Sequence, residues 1–294
     1  MLRLISTLFI VNFLLVSSSF AKSSDTKTSH LLWQVEGTNA TIYLFGTIHV
    51  GEQSMYPFPE KVTQALKASD NIVLEINLTP ENEAKMGQKM LQKAMYTDGS
   101  SLKDHISSEL YQDTIAYLNE HIPMLANQAK YMKPWFLSIA ATMVEIQKAG
   151  YDANLGIEKY LQHTAKVQKK KILSLESIDF QLKLLSQLPN QEKFLKKTIE
   201  ELPKTKKLMT QVIKMWKEGD IKGLHKELVA PMKKEMPKVY KAMLTDRNIN
   251  MVKGISKFAK TKSSYFVAVG SAHYIGAEGI ITLLRKKGYT VTKL

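Results

Sequence analysis

The sequence has 294 residues, of which 44% are hydrophobic and 23% are charged. This composition is typical of a globular protein, and the length allows either one large domain or a core with an insert. The chain has no cysteine, which excludes disulfides, zinc–thiolate sites and a cysteine nucleophile. Any metal ion would therefore be bound by His, Asp, Glu or water.

The formal net charge is +14, from 41 Lys and Arg against 27 Asp and Glu. The excess is lysine in the middle of the chain, for example at residues 168–171 and 193–207. Lysines that recur along helices usually form a solvated face. Residues 1–21 also predict export, which argues against a nucleic-acid partner. We expect at most weak contact with an anionic envelope surface. The sequence does not indicate an oligomeric state.

Residues 1–21 have the features of a cleavable signal peptide. Arg3 is followed by an apolar run over residues 8–16 and then by small residues that end at Ala21. The alternative is an uncleaved membrane anchor, but the run is short for a span of about 20 residues. We therefore predict an exported protein, periplasmic or secreted, with cleavage near Ala21 and residues 22–294 forming a single domain.

A strand that ends in a Gly-x-x-His motif occurs near each end of the predicted domain. His49 closes the motif in the first copy and His273 closes it in the second. Each copy continues into a helix and another strand. The predicted elements are strands at 31–36, 41–45 and 71–76 with a helix at 60–68, and strands at 265–269 and 289–292 with a helix at 275–287.

The repeated pattern predicts an α/β fold, with a central mixed sheet built from two pseudo-symmetric β/α halves. Residues 82–260 would form a large, mostly helical insertion, in which Pro203 breaks or kinks the helix predicted at 191–216. Loops at strand ends are where α/β sheets bind ligands, so both histidines should lie at one edge. Within the insertion we predict helices at 108–121, 134–148, 156–169, 179–188, 191–216 and 240–258, and a short strand at 171–175 that ends at Glu176.

His49 and His273 are the first candidate site residues. A single histidine at a strand end is more often a hydrogen-bonded structural residue. Recurrence of the whole motif favours a function, because two equivalent loops can meet.

Glu75 is embedded in an apolar strand, where an ionised carboxylate would cost several kcal/mol unless it is paired or metal-bound. It could instead face water at the strand end or pair with a lysine. Glu176 has a similar but weaker context. Two histidines with one or two carboxylates suit Mn²⁺, Co²⁺ or Zn²⁺, and the same groups could act without metal, with a histidine as general base.

Arg247 and Asn248 lie in a predicted helix that is otherwise apolar on one side. Their spacing alone favours a surface ion pair between Asp246 and Arg247. The functional alternative is an arginine that stabilises an oxyanion or an anionic substrate group.

Taken together, these segments resemble the TraB/GumN family, which includes the Tiki-type proteases and the pheromone-shutdown proteins. The resemblance covers nearly the whole mature chain, although it is less specific in the helical middle. The sequence departs from the family pattern only after His273, where Tyr-Ile follows instead of Leu-Val. The segments that carry it are LWQVE at 32–36, YLFGTIHVG at 43–51, VLEI at 73–76, LE at 175–176, RN at 247–248, VGSAHYIG at 269–276 and LRKKGYTV at 284–291.

The resemblance implies two related β/α halves with a helical insertion. It also implies a site formed by His49, His273 and Glu75, with Arg247 and Asn248 nearby. Tiki-type members are divalent-metal-dependent proteases that act on extracellular signalling proteins.

The leading hypothesis is therefore a metal-dependent hydrolase, most simply a peptidase that acts on a peptide or protein. His49, His273 and Glu75 would bind the metal, Arg247 would stabilise the oxyanion, and Glu176 would be a fourth ligand or support the others. The alternatives are a metal-free esterase-like hydrolase, a protein that sequesters peptides without cleaving them, and a basic protein that binds the envelope surface.

Overall fold

The computed structural model describes residues 30–77 and 79–294. The predicted signal peptide lies outside these residues. In the described part of the chain, six strands form one mixed sheet, which confirms the predicted α/β fold. The strands are β1 (Leu32–Glu36), β2 (Thr41–Thr47), β3 (Asn71–Leu74), β4 (Lys171–Ser174), β5 (Ser264–Gly270) and β6 (Thr290–Lys293).

The strand order is β4-β3-β5-β2-β1-β6. The first four of these strands are parallel, while β1 pairs antiparallel with both β2 and β6. The register places Thr47 beside Gly270 and Leu74 beside Ser174. The carboxyl ends of β4, β3, β5 and β2 therefore lie side by side at one edge of the sheet.

Most of the helices occur in the part of the sequence that connects β3 to β5, as predicted. No helix of the described residues has the length and apolar character needed to cross a membrane. The helices are α1 (Glu60–Lys67), α2 (Pro80–Ala94), α3 (Ser108–His121), α4 (Pro123–Ala126), α5 (Pro134–Lys148), α6 (Ile157–Val167), α7 (Ile178–Ser186), α8 (Gln191–Glu201), α9 (Thr205–Glu218), α10 (Ile221–Leu224), α11 (Ala230–Glu235), α12 (Pro237–Tyr240), α13 (Asp246–Phe258) and α14 (Ile280–Lys286).

Local signals account for several of these boundaries. The side chain of Ser107 accepts a hydrogen bond from the Leu110 amide and caps α3. Pro134 occupies the first turn of α5, where its missing N–H costs nothing. Pro203 lies in a 3₁₀ turn that separates α8 from α9, so the predicted long helix is broken there.

Two predicted helices differ from the structure. The helix predicted at 275–287 begins only at Ile280, because Gly276 has a φ of +92° that ends any preceding helical turn. The helix predicted at 240–258 has a π-helical turn at Lys241–Thr245, and α13 begins directly after it. Such turns often occur at functional sites.

Candidate active site

The four parallel strand ends each deliver one predicted site residue. His49 follows β2 by two residues, Glu75 follows β3 directly, Glu176 follows β4 by two residues, and His273 follows β5 by three. Because β5 lies between β2 and β3, its end is adjacent to both His49 and Glu75.

Gly270, at the end of β5, is the point where these side chains meet. Its backbone N–H donates a hydrogen bond of 2.8 Å to Glu75 Oε1. A Cβ at this position would lie 3.3 Å from Glu75 Oε1 and 3.7 Å from both His49 Nε2 and His273 Cδ2. A residue larger than glycine would therefore crowd Glu75 Oε1 and contact both imidazoles.

Arg247 connects the two carboxylates of the site and is itself only 1% exposed. Its Nη2 donates to Glu75 Oε2 at 2.6 Å and to Glu176 Oε2 at 2.7 Å, and its Nε donates to Glu176 Oε1 at 2.8 Å. Gln181 Nε2 donates to both carboxylates as well, at 3.2 Å and 2.9 Å. These hydrogen bonds and ion pairs offset the desolvation cost of burying the charged groups.

Two alternatives from the sequence are wrong. Asp246 pairs with Lys241 at the surface and not with Arg247, which α13 directs into the protein. Glu75 neither faces water nor pairs with a lysine, because its partner is this arginine.

Glu75 remains ionised at neutral pH. Burial alone would raise its pKa, but the charges of Arg247 and His49 and the hydrogen bond from Gly270 outweigh burial. They hold the pKa of Glu75 well below its usual range.

His49 is the more accessible of the two histidines, with 16% of its side chain exposed. Its Nδ1 lies 3.0 Å from Glu158 Oε1, and the hydroxyl of Thr47 donates to the same oxygen. Burial would lower the pKa of His49, but Glu158, with a smaller contribution from Glu75, raises it to about 9. His49 is therefore an imidazolium at neutral pH.

His273 is 1% exposed and is held by an amide. Asn248 Nδ2 donates to the carbonyl of Glu278, so its Oδ1 faces His273 Nδ1 at 2.6 Å. An amide oxygen only accepts, so Nδ1 carries the ring proton and Nε2, 3.8 Å from Glu75 Oε1, carries the lone pair. Burial, then the charge of Arg247, lower the pKa of His273 to about 3 and keep it neutral.

The cluster therefore contains a carboxylate, an imidazolium and a neutral imidazole within a few ångströms. Environments that push the pKa values of neighbouring groups apart are characteristic of acid–base sites. At neutral pH the imidazolium can donate a proton while Glu75 and His273 Nε2 can accept hydrogen bonds.

The atom types of His49, His273 and Glu75 suit a divalent metal ion, but their arrangement does not form a site for one. Among the described residues there is no group of three or more His, Asp or Glu side chains placed to hold a metal ion. The two oxygens of Glu75 instead accept hydrogen bonds from Gly270, Arg247 and Gln181.

The structure thus brings together His49, Glu75, Glu176, Arg247, Asn248 and His273, the six residues singled out from the sequence. It adds Glu158 and Gln181, which sequence reasoning missed. Gln181 lies in the first turn of α7, five residues after Glu176, which is only a weak signal in the sequence. Glu158 lies at the start of a helix with no strand before it, and no sequence pattern indicated it.

Comparison with known proteins places this chain in a family. The chain is 23% identical over 248 residues to the uncharacterized protein YbaP of Escherichia coli (strain K12), covering 84% of this chain and 89% of YbaP. It is 22% identical to a protein of Amphimedon queenslandica named Metalloprotease TIKI homolog, covering 100% of this chain and 67% of that protein. No solved structure matches the chain. Residues 31–293 match the TraB/PrgY/gumN family, and the chain therefore belongs to it.

Proposed function

We propose that this protein is a hydrolase that cleaves peptide bonds at the cluster of His49, Glu75 and His273. The observation that carries the proposal is the convergence of these three side chains around the position of a Gly270 Cβ. The name of the Amphimedon queenslandica relative supports a peptide as the substrate class.

The protonation states suggest a division of roles. His49 is charged and partly exposed, so it can protonate a leaving group or stabilise an oxyanion. Glu75 and His273 Nε2 are both acceptors, 3.8 Å apart, and together can orient an attacking water. The proton that His49 gives to the leaving amine is restored to it from that water, so the step balances.

The remaining polar residues of the site contact the reacting side chains and not the substrate. These residues are Arg247, Glu176 and Asn248. The Nε, Nη1 and Nη2 of Arg247 all donate within the protein, to Glu176, Met243 and Glu75. This supports a positioning role for Arg247 in place of the oxyanion role expected from the sequence. Asn248 orients His273 in the same way.

The test is incubation of the mature chain with a peptide library, followed by mass spectrometry to detect new termini. We expect new termini with the wild type and none above background with His49→Ala or His273→Ala. His163→Ala, which changes a histidine of α6 outside the cluster, is the matched control and should retain activity. Peptides that bind without acquiring new termini would instead establish a sequestering protein.

A metal-dependent form of the same hydrolase is the second candidate. Both imidazoles are held through Nδ1, which is how histidine ligands are commonly oriented, and one relative is named a metalloprotease. To bind Mn²⁺, Co²⁺ or Zn²⁺, Glu75 would have to exchange hydrogen bonds for coordination. Elemental analysis of the purified protein, with the thermal midpoint measured with and without each ion, decides this. Activity that survives chelation would exclude the metal-dependent form.

We further propose that the protein is exported after cleavage near Ala21. The apolar run and the small residues that follow it support this. Amino-terminal sequencing of the protein recovered from an expressing bacterium should begin near Lys22. A protein that retains Met1 and stays with the membrane fraction would favour the anchor instead.

A further inference from the structure

The amino-terminal end of α6 is joined to the loop that carries His49. The Ile157 amide donates to the carbonyl of Ile48 at 3.1 Å, and Gly51 and Asp152 exchange two backbone hydrogen bonds of 2.9 Å. Gly156 approaches so closely that a Cβ there would lie 2.2 Å from the His49 carbonyl oxygen. The helical insertion thus fixes the backbone on both sides of the histidine.

Glu158, the second residue of α6, extends this attachment to the imidazole itself. Its Oε1 lies 3.0 Å from His49 Nδ1 and also accepts from the hydroxyl of Thr47, two residues before the histidine. The carboxylate is 13% exposed, and Thr47 is fully buried at the end of β2. The carboxylate is therefore held between the strand end and the ring, and these contacts restrict its side-chain rotamer.

A ring held at Nδ1 has only its Nε2 available on the opposite side. That atom lies 3.7 Å from the position of a Gly270 Cβ, among Glu75 and His273. Carboxylates that orient a metal-binding imidazole through its other nitrogen contribute about 10- to 100-fold to affinity or activity, and we expect an effect of the same order for this ring.

We infer that Glu158, held by Thr47, is a positioning residue that keeps His49 Nε2 directed at Glu75 and His273. The inference deepens the proposed hydrolase function and rests on it. It makes residues 152–158 of the helical insertion a working part of the site, although no strand end or Gly-x-x-His motif marks them. The competing explanation is that Glu158 only attaches α6 to the sheet.

The experiment compares variants that separate these two roles. Glu158→Ala removes the ring's partner, and Lys159→Met removes the ion pair between Lys159 and Glu83 that joins the same helix to α2. We expect kcat to fall about 10- to 100-fold in Glu158→Ala with KM changed less than about twofold. Lys159→Met should keep the wild-type kcat even where its thermal midpoint falls. Equal losses of kcat in the two variants would overturn the inference.

Thr47 provides a second test if Glu158→Ala does not fold. Thr47→Val keeps the shape but removes the hydroxyl donor to Glu158, whereas Thr47→Ser keeps the donor. We expect a reduced kcat in Thr47→Val and its recovery in Thr47→Ser. Equal kcat values in the two variants would count against the role of Glu158.

A crystal structure of Glu158→Ala tests the inference without any assay. The His49 ring should rotate away from the Glu75 side while α6 keeps its place. An unchanged ring would overturn the positioning role whatever the activity. A rotated ring in a protein whose wild type cleaves no peptide would leave the positioning role standing and refute the proposed hydrolase.

Discussion

The two Gly-x-x-His loops have the same spacing and opposite environments. His49 is partly exposed and bound by the carboxylate of Glu158, whereas His273 is buried and bound by the neutral amide of Asn248. The pKa of the first is raised to about 9 and the pKa of the second is lowered to about 3. The motif delivers an imidazole to the sheet edge, but the neighbours decide its charge.

Those neighbours come from the helical insertion. Glu158 lies on α6, Gln181 on α7, and Arg247 and Asn248 on α13. The sheet therefore supplies the pair of histidines and the shared carboxylate, and the insertion gives the two histidines different charges. Substitutions in the insertion should test this division most directly.

The largest expected effect is that of Arg247→Met, which leaves Glu75 and Glu176 buried without their cation. Breaking a buried ion pair on one side costs about 3–5 kcal/mol of unfolding free energy. Urea unfolding measures this loss. Asp246→Asn, one residue away, changes only an exposed pair with Lys241 and should cost less than about 1 kcal/mol. Similar losses in the two variants would contradict the buried network.

The buried network also marks the limit of what the sequence predicted. Strand-end positions identified His49, Glu75, Glu176 and His273, because β-branched and aromatic runs followed by a polar residue are visible in one chain. The bounds of α3 and α5 were predicted as observed, since a serine cap and a proline in the first turn are local signals.

Contacts between distant elements were not predictable in this way. The position of β5 between β2 and β3 depends on packing of the whole sheet. Arg247 points inward from the start of α13, directly after a π-helical turn, whereas spacing alone had favoured the surface. Glu158 follows no pattern, because its role exists only where α6 meets the His49 loop.

The second prediction concerns pH, because the two histidines should affect stability in opposite directions. The pKa of His49 is raised in the folded state, so its contribution is complete below about pH 6.5 and is lost as pH rises through about 9. At about 1.4 kcal/mol per pH unit this contribution is on the order of 3 kcal/mol. The difference in unfolding free energy between the wild type and His49→Gln should shrink over that range.

For His273 the folded pKa is lowered, so the sign reverses. Its contribution is present above about pH 6.5 and is lost as pH falls towards about 3. The wild type and His273→Gln should therefore converge on acidification. Two histidine variants with parallel pH profiles would show that the loops are equivalent after all.

The third prediction is a smaller loss for Asn248→Ala. This change leaves the Nδ1 proton of the buried His273 without its acceptor, which costs about 1–3 kcal/mol. Asn250→Ala on the exposed side of the same helix is the matched control and should change stability by less than about 0.5 kcal/mol. Chemical denaturation of both variants checks the difference. If Asn248→Ala is neutral, the amide does not hold the ring.

The smallest effect is expected at Gly276, three residues after His273. Its φ of +92° is one that alanine adopts at a cost of about 1–2 kcal/mol, although an added Cβ would meet only ordinary contacts with His225 and Val229. Gly288 has a φ of +89° and open space around it, so Gly288→Ala is a control with the same backbone cost. The two variants should therefore lose similar stability.

Activity should separate these two glycine variants. Gly276 begins the turn whose Glu278 carbonyl holds Asn248, and Asn248 in turn holds His273, so a displaced turn disturbs the ring. Gly288 lies beyond α14 and contacts none of these groups. We expect kcat to fall several-fold in Gly276→Ala and to stay at the wild-type value in Gly288→Ala. If both variants kept full kcat, the His273 loop would tolerate movement of this turn, and α13 would have to hold the ring without it.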